Sequence, residues 1–367
     1  MPLSALLSQT WVAFTIESDN EVERQVVHRT TNFGSTPGAE KRVWLASMAM
    51  WWHFLQFVRD EGTRAGELKR LTARDAASLG RWLTRLSKWW GYLKIESPQG
   101  GDRKTSKADL LMKPTQSGLK AMAAWRSVSG RIEQRWRERF GGEEIDALRS
   151  ALVTILQKAD MALPDCLPIV GYAMTSSEQT FKFEGHDAEE GLAEKPLPVL
   201  LAKVLLLFAR EFEAEAKMSL AICANVLRPV EADGTAVRDL PKLAGVSKQS
   251  IAVAVNFLTS KGFAVEMKPP AGGAKLLILK PKAEVVRARY FKFTREIEMR
   301  WKERFGIEVI DALRASLERI EGSARGKSRL LESVKSYPGG WRAKAPEITA
   351  LPHFPLVTHR GGYPDGS

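Results

Sequence analysis

Residues 131–152 read RIEQRWRERFGGEEIDALRSAL, and residues 296–317 read EIEMRWKERFGIEVIDALRASL. Most positions are identical, without a gap, at a constant separation of 165 residues: Trp136 answers to Trp301, Phe140 to Phe305 and Asp146 to Asp311. Self-similarity of this kind constrains the architecture before any local reading. Two copies this far apart predict a duplicated domain, not a solenoid. Ile132, Trp136 and Phe140 fall at i, i+4 and i+8, one apolar helical stripe. Gly141 and Gly306 stand where a residue with positive φ would end that helix. A second amphipathic helix follows, carried by Ile145, Leu148 and Leu152 in one copy and by Ile310, Leu313 and Leu317 in the other. Arg131, Arg135 and Arg139 repeat on a different face, which reads as solvated or as a contact for a phosphate backbone.

The duplication extends outward. LSALLSQTWVAFT (3–15) has helical apolar spacing, and its counterpart is LPVLLAKVLLLFA (197–209), with Leu7 matching Leu201 and Phe14 matching Phe208. Residues 30–42 read as loop, and 43–58 (VWLASMAMWWHFLQFV) as a buried helix. Residues 168–195 join the copies as a surface linker, and ALPDCLPIV (162–170) is echoed by ALPHFPLV (350–357). The closing HRGGYPDGS is turn-rich and is expected to lack order unless docked.

The most informative segment is DLPKLAGVSKQSIAVAVNFLTSKGFAVEM (239–267). A short helix ends at Gly245. Ser247 is a good N-cap, and the next helix carries Ile251, Val255 and Leu258 on one face. Lys261-Gly262 supplies a cation and a C-cap glycine. FAVEM and KLLIL (275–279) then read as two strands around a Pro-Gly turn. Two helices on a short Gly-containing turn make a helix-turn-helix, and the hairpin makes it winged. ELKRLTARDAASLGRWLTRLSKWWGYLKI (67–95) fits the same pattern, with a hairpin tip at 97–109. The fold class expected is mainly α with small β-hairpin wings: two winged helix-turn-helix domains joined by a helical, dimerisation-like body. The boundaries expected are 1–167, a linker 168–195, 196–336, and a tail 337–367.

A helix of this kind reads the DNA major groove with its first two turns. In the second copy that nominates Ser247, Lys248, Gln249 and Ser250, with Lys261 at the far end. In the first it nominates Arg74, Ser78, Arg81 and Arg85. Arg103, Lys104, Lys107 and Lys275 on the wings would reach flanking phosphates. For each, the alternative is a solvated polar residue. A formal net charge of +12 favours a polyanionic partner. Two cysteines without ligand spacing offer neither a disulfide framework nor a metal site. No run is apolar and long enough to span a bilayer, and no signal peptide is evident. Phosphate-loop, dinucleotide, zinc-protease and nucleophile-elbow motifs are missing, so neither an enzyme nor a cofactor is expected.

The order of elements resembles the MarR (multiple antibiotic resistance regulator) family. The resemblance is carried by DLPKLAGVSKQSIAVAVNFLTSKGF, the LILKPKAEVV stretch and the RWKERFG…IDALRASL pair. It covers nearly all of 1–165 and 197–336, more strongly in the second copy. It implies a cytoplasmic, nucleoid-associated regulator of double-stranded DNA, fused as a monomeric pseudo-dimer or further paired as a homodimer. It also implies a small-molecule pocket between body and lobes, for which composition nominates Trp44, Trp51, Trp52 and His53 as an aromatic effector site, plain core being the alternative. The sequence departs from the family's Asp-x-Arg wing pair, and TARDAA lacks the glycine found at 245. Two other readings stay open: an architectural protein binding DNA without base readout, and a protein-interaction module.

Overall fold

The computed structural model describes residues 1–26, 47–48, 51, 54–72, 80, 83–84, 86–88, 90–97, 106–159, 161, 163–165, 191–269, 272–322, 326–344, 347–356 and 364–365. In chain order the elements are α1 (Leu3–Glu23), β1 (Thr63–Arg64), α2 (Ala65–Thr72), β2 (Leu93–Glu96), β3 (Leu111–Pro114), α3 (Gln116–Phe140) and α4 (Gly142–Gln157). The second series is α5 (Leu197–Ala216), β4 (Thr235–Ala236), α6 (Leu240–Ala244), α7 (Lys248–Ser260), β5 (Ala264–Met267), β6 (Leu276–Leu279), α8 (Pro281–Phe305) and α9 (Ile307–Glu321). The chain is mainly helical, with two small antiparallel sheets. No helix among the described residues is long and apolar enough to cross a membrane.

The two long helix pairs end as the sequence predicts. Gly141 and Gly306 sit at φ 109° and 112° between α3 and α4 and between α8 and α9. α1 is buried along its whole length, polar residues included. It packs against α5, and α4 packs against α9. The remaining contacts come in matched pairs: α1 with α3 as α5 with α8, and α1 with α9 as α5 with α4. Each series therefore lends its first helix to the other's last, the pattern of an isologous association.

Side chains repeat the match. The Trp136 ring lies 5.1 Å from Phe14 and 5.2 Å from Phe140, both edge-on. Trp301 lies 5.3 Å from Phe208 and 5.4 Å from Phe305. Burying an indole of about 200 Å² contributes on the order of 5 kcal/mol. Its N–H must also be satisfied, and Trp136 Nε1 donates to Glu17 at 2.8 Å while Trp301 Nε1 donates to Glu211 at 3.0 Å.

The arginine stripe on α3 is neither a bare solvated face nor free for phosphate. Arg139 grips Glu17 with two hydrogen bonds of 2.9 Å, and Arg135 and Arg131 reach Glu21 at 2.7 and 3.4 Å. In the second series Arg304 reaches Glu211 at 3.4 Å, and Arg300 pairs with Glu215. Across each helix pair Arg149 binds Glu133 at 3.1 Å and Arg314 binds Glu298 at 2.7 Å. Not every contact among the described residues has a mirror. Arg319 on α9 binds Glu144 on α4 at 3.0 Å, whereas the positions 165 residues away are Thr154 and Val309.

Each sheet has three strands, one more than the expected hairpin, in the orders β1-β3-β2 and β4-β6-β5. Ile95 pairs with Met112 in one, and Val265 with Ile278 in the other. The added strands are two residues long. Each begins at a threonine whose hydroxyl closes the preceding loop: Thr63 accepts from Arg59 N–H at 3.0 Å, and Thr235 from Glu231 N–H at 3.0 Å.

Half of the helix expected over 43–58, and residues 168–190 of the expected linker, lie outside the described residues; Leu55–Phe57, at the end of that expected helix, form a 3₁₀ turn instead. The linker's last part is docked: Leu192 is buried, and Arg149 donates to the Ala193 and Lys195 carbonyls at 2.7 and 2.8 Å. The echoing segments occupy matching places. Gln9 on α1 donates to the Leu351 carbonyl at 3.1 Å, and Lys203, at the equivalent place on α5, donates to the Leu163 carbonyl at 2.5 Å.

Candidate nucleic-acid interface

α6 stops because Gly245 adopts φ +69°, the left-handed conformation that an L side chain resists. Two residues later Ser247 caps α7, its Oγ accepting from Ser250 N–H at 3.2 Å. Ile251, Ala254, Val255 and Leu258 bury the inner face of α7. The helix ends at Lys261, followed by Gly262 at φ +67°. α7 is thereby fixed on its inner side and its ends, while its outer side is left to solvent.

That outer side carries Lys248, Gln249, Ala252 and Asn256, all exposed. Lys248, Ala252 and Asn256 follow i, i+4, i+8 spacing, with Gln249 beside them, so they share one face. Gln and Asn side chains can make two-pronged contacts with adenine, and an Ala methyl can touch a thymine methyl. Ser250 is not on this face. It is fully buried, and its hydroxyl lies 3.1 Å from that of Ser247. Ser247 is itself half-buried and engaged as a cap. Of the four residues nominated at the start of the helix, Lys248 and Gln249 are the ones that project. Asn256 lies beyond the first two turns from which the sequence nominates candidates; its i+8 spacing from Lys248 is the sequence signal that puts it on the same face.

The wing projects beyond the lobe. After buried Ala264, Val265, Glu266 and Met267 are all exposed. Lys275 is exposed on the turn side of the wing, one residue before Leu276, which pairs with Met267. Its carbonyl accepts from Val237 N–H at 2.9 Å, and its ammonium stands 3.7 Å from Glu266. Lys261 is exposed at the far end of α7. Lys242 and Lys268 are two more exposed cations of this lobe, and neither they nor Lys248 has an ion-pair partner among the described residues.

In the first lobe Arg74, Ser78, Arg81, Arg85, Arg103 and Lys104 lie outside the described residues. Leu83 and Leu86 are buried as an inner face requires. Lys107 is exposed in a 3₁₀ turn, Lys107–Asp109, capped by Ser106 and folded against α2.

A groove of about 680 Å³ runs beside α3, lined by Trp51, Gln56, Trp125, Arg126, Arg149 and Lys195, among others. The Trp51 and Trp125 rings stack at 6.4 Å and 16°. Trp125 Nε1 is buried without a hydrogen-bond partner among the described residues. Trp51 is one of the four residues nominated for an aromatic ligand; Trp44, Trp52 and His53 lie outside the described residues. No group of three or more potential metal ligands occurs among the described residues.

No protein-family model matches this chain, and no curated protein is similar to it. A solved structure, CouR from Rhodococcus jostii RHA1 bound to p-coumaroyl-CoA, is similar at 18% identity and a TM-score of 0.28. The match covers 35% of this chain and 92% of that one. So partial an overlap carries no weight for the function of this chain.

Proposed function

We propose that this protein is a sequence-specific regulator that binds double-stranded DNA through two non-identical winged helices held on one fused, pseudo-dimeric body. Residues 1–167 and 196–336 are the two copies, 168–195 the connection and 337–367 a tail. It acts by binding and not by catalysis, on the nucleoid in the cytoplasm. The observation that carries this reading is the outer face of α7. Lys248, Gln249 and Asn256 stand exposed in line on a helix whose inner face and caps are fully engaged. The matched packing of α1, α4, α5 and α9 supports the paired-lobe part of the reading, as does the sequence resemblance to MarR regulators. The groove along α3 is the place for an effector. A flat aromatic ligand between the indoles and Arg126 would bias the spacing of the lobes, coupling ligand to DNA affinity.

Capture of genomic fragments followed by sequencing tests this. The expected product is a motif with two unlike halves about one helical turn apart. Enrichment of no sequence at any salt concentration refutes the reading. An architectural role, favoured by Lys242, Lys248 and Lys268, which have no ion-pair partner among the described residues, predicts instead equal affinity for unrelated duplexes and a steep salt slope.

A further inference from the structure

The expected tail contains an element that the regulator reading does not use. Residues 347–356 run between the helical body and the second lobe. Leu351, Phe354 and Leu356 are buried there. Towards the body, Ser8 and Gln9 of α1 donate to the carbonyls of Pro352 and Leu351 at 2.9 and 3.1 Å. On its other side, Asn225, in the helical turn Cys223–Leu227 that packs against α8 and α6, clamps Phe354: its Nδ2 donates to the Phe354 carbonyl at 2.7 Å, and its Oδ1 accepts from Phe354 N–H at 3.1 Å. The same strand of chain crosses the helix-turn-helix turn at backbone distance. A Cβ on Gly245 would stand 2.7 Å from the Ala350 oxygen and the Leu351 carbonyl carbon.

A second tie sits at the base of the reading helix. The Asp365 carbonyl accepts from Ser247 N–H at 2.8 Å. The Asp365 carboxylate is held by Arg342 in a two-pronged pair of 3.0 and 3.2 Å, with both side chains buried. Leu356 N–H bonds the Pro364 carbonyl at 2.8 Å, so the two ties are joined. α1 comes from the first series of elements, whereas Asn225, Gly245 and Ser247 belong to the second.

We propose that segment 347–356, together with Pro364–Asp365, is a built-in strap that fixes the second winged helix on the fused body and so sets where α7 stands relative to the other lobe. Rotation of the lobe would have to break the Asn225 clamp, the Ser247–Asp365 bond or the α1 bonds. The strap thereby makes the chain selective for the separation of two half-sites, and whatever lifts it widens the range accepted. Its effect on DNA rests on the regulator reading; its effect on the lobe does not.

The test uses the full chain with Asn225→Ala or Gln9→Ala, which loosen the strap from the lobe and from the body respectively. Amide hydrogen exchange is followed at Val246–Ile251 and, as a reference, in α4 and α9. Asn225→Ala is expected to speed exchange at Ser247 and its neighbours on the order of tenfold, with α4 and α9 unchanged, as local opening without global unfolding requires. On duplexes whose half-sites are moved apart by one or two base pairs, both variants are expected to lose several-fold of the native discrimination. Exchange at 246–251 that is unmoved in both variants overturns the proposal. So does simultaneous loss of protection in lobe and body, which would make the segment ordinary core. Should Asn225→Ala fail to fold, Gln9→Ala, which removes one hydrogen bond, decides alone. Faster exchange in a chain that binds no DNA would keep the strap and discard the regulator reading.

Discussion

Replacing Glu17 with alanine removes the acceptor for the buried Trp136 N–H and both hydrogen bonds to Arg139. A buried donor left unsatisfied costs about 1–3 kcal/mol. Breaking a fully buried ion pair costs ~3–5 kcal/mol, but the Arg139 side chain is 30% exposed, and Ser333 still accepts from it. Its share is therefore nearer ~1 kcal/mol. Glu17→Ala should cost roughly 3 kcal/mol in total. The equivalent Glu211→Ala should cost about half as much. Glu211 is 22% exposed against 10% for Glu17, so water can reach the abandoned indole, and the Arg304 contact is longer at 3.4 Å. Glu17→Gln keeps an acceptor for Trp136 and should lose only ~1 kcal/mol. Urea unfolding followed by far-ultraviolet circular dichroism gives the three values, provided the slopes agree. Equal costs for Glu17→Ala and Glu211→Ala, or a Glu17→Gln as damaging as Glu17→Ala, would refute the account of buried indoles satisfied by carboxylates.

Three other outcomes are expected. Gln249→Ala should lose about 1–3 kcal/mol against one base pair of the selected site and little against others, read by titrating sites with single base changes. Lys248→Ala should reduce the slope of log K against log salt by about 0.9, and Lys275→Ala by less because Glu266 stands 3.7 Å away; binding isotherms at four salt concentrations measure both. His353, half-buried, faces the Tyr290 hydroxyl at 3.4 Å; burial, then the Arg228 guanidinium and the chain's N-terminal ammonium, push its pKa down to about 3. The unfolded imidazole takes a proton near pH 6.5 and the folded one does not. The contribution of His353 is thus complete above that pH and declines on acidification towards 3, by ~1 kcal/mol at pH 5 after allowing for solvent around the ring. His353→Gln should flatten the fall in stability between pH 7 and 4 measured by urea unfolding, and an unchanged slope would count against it.

The duplicated RW(R/K)ERF segment was enough to expect paired helices ending at Gly141 and Gly306, because glycines in that position and an i, i+4 apolar stripe are local signals. The Gly245 turn, the Ser247 cap and the inner face of α7 were legible for the same reason. The partners of Arg131, Arg135 and Arg139 were not. They lie on α1 more than 100 residues earlier, and nothing local distinguishes a cation that meets a carboxylate from one that meets solvent. The duplication held the missing signal: Glu17 and Glu21 recur as Glu211 and Glu215 at the same separation as Leu7 and Leu201. The strands β1 and β4 are two residues long, too short for alternation to register. Ser250 reads as a recognition residue by position along the helix, yet the angle around the axis, set by Ile251 and Ala254, turns it inward.

The unmirrored bond between Arg319 and Glu144 carries a consequence for how such a molecule can change. In an assembly of identical subunits every substitution appears twice, and a cation that suits one side is forced on the other as well. Here Thr154 and Val309 hold the mirrored positions, so the seam has acquired a handedness. A molecule with a handed seam has a left and a right, and a directional target gives each of them a fixed place.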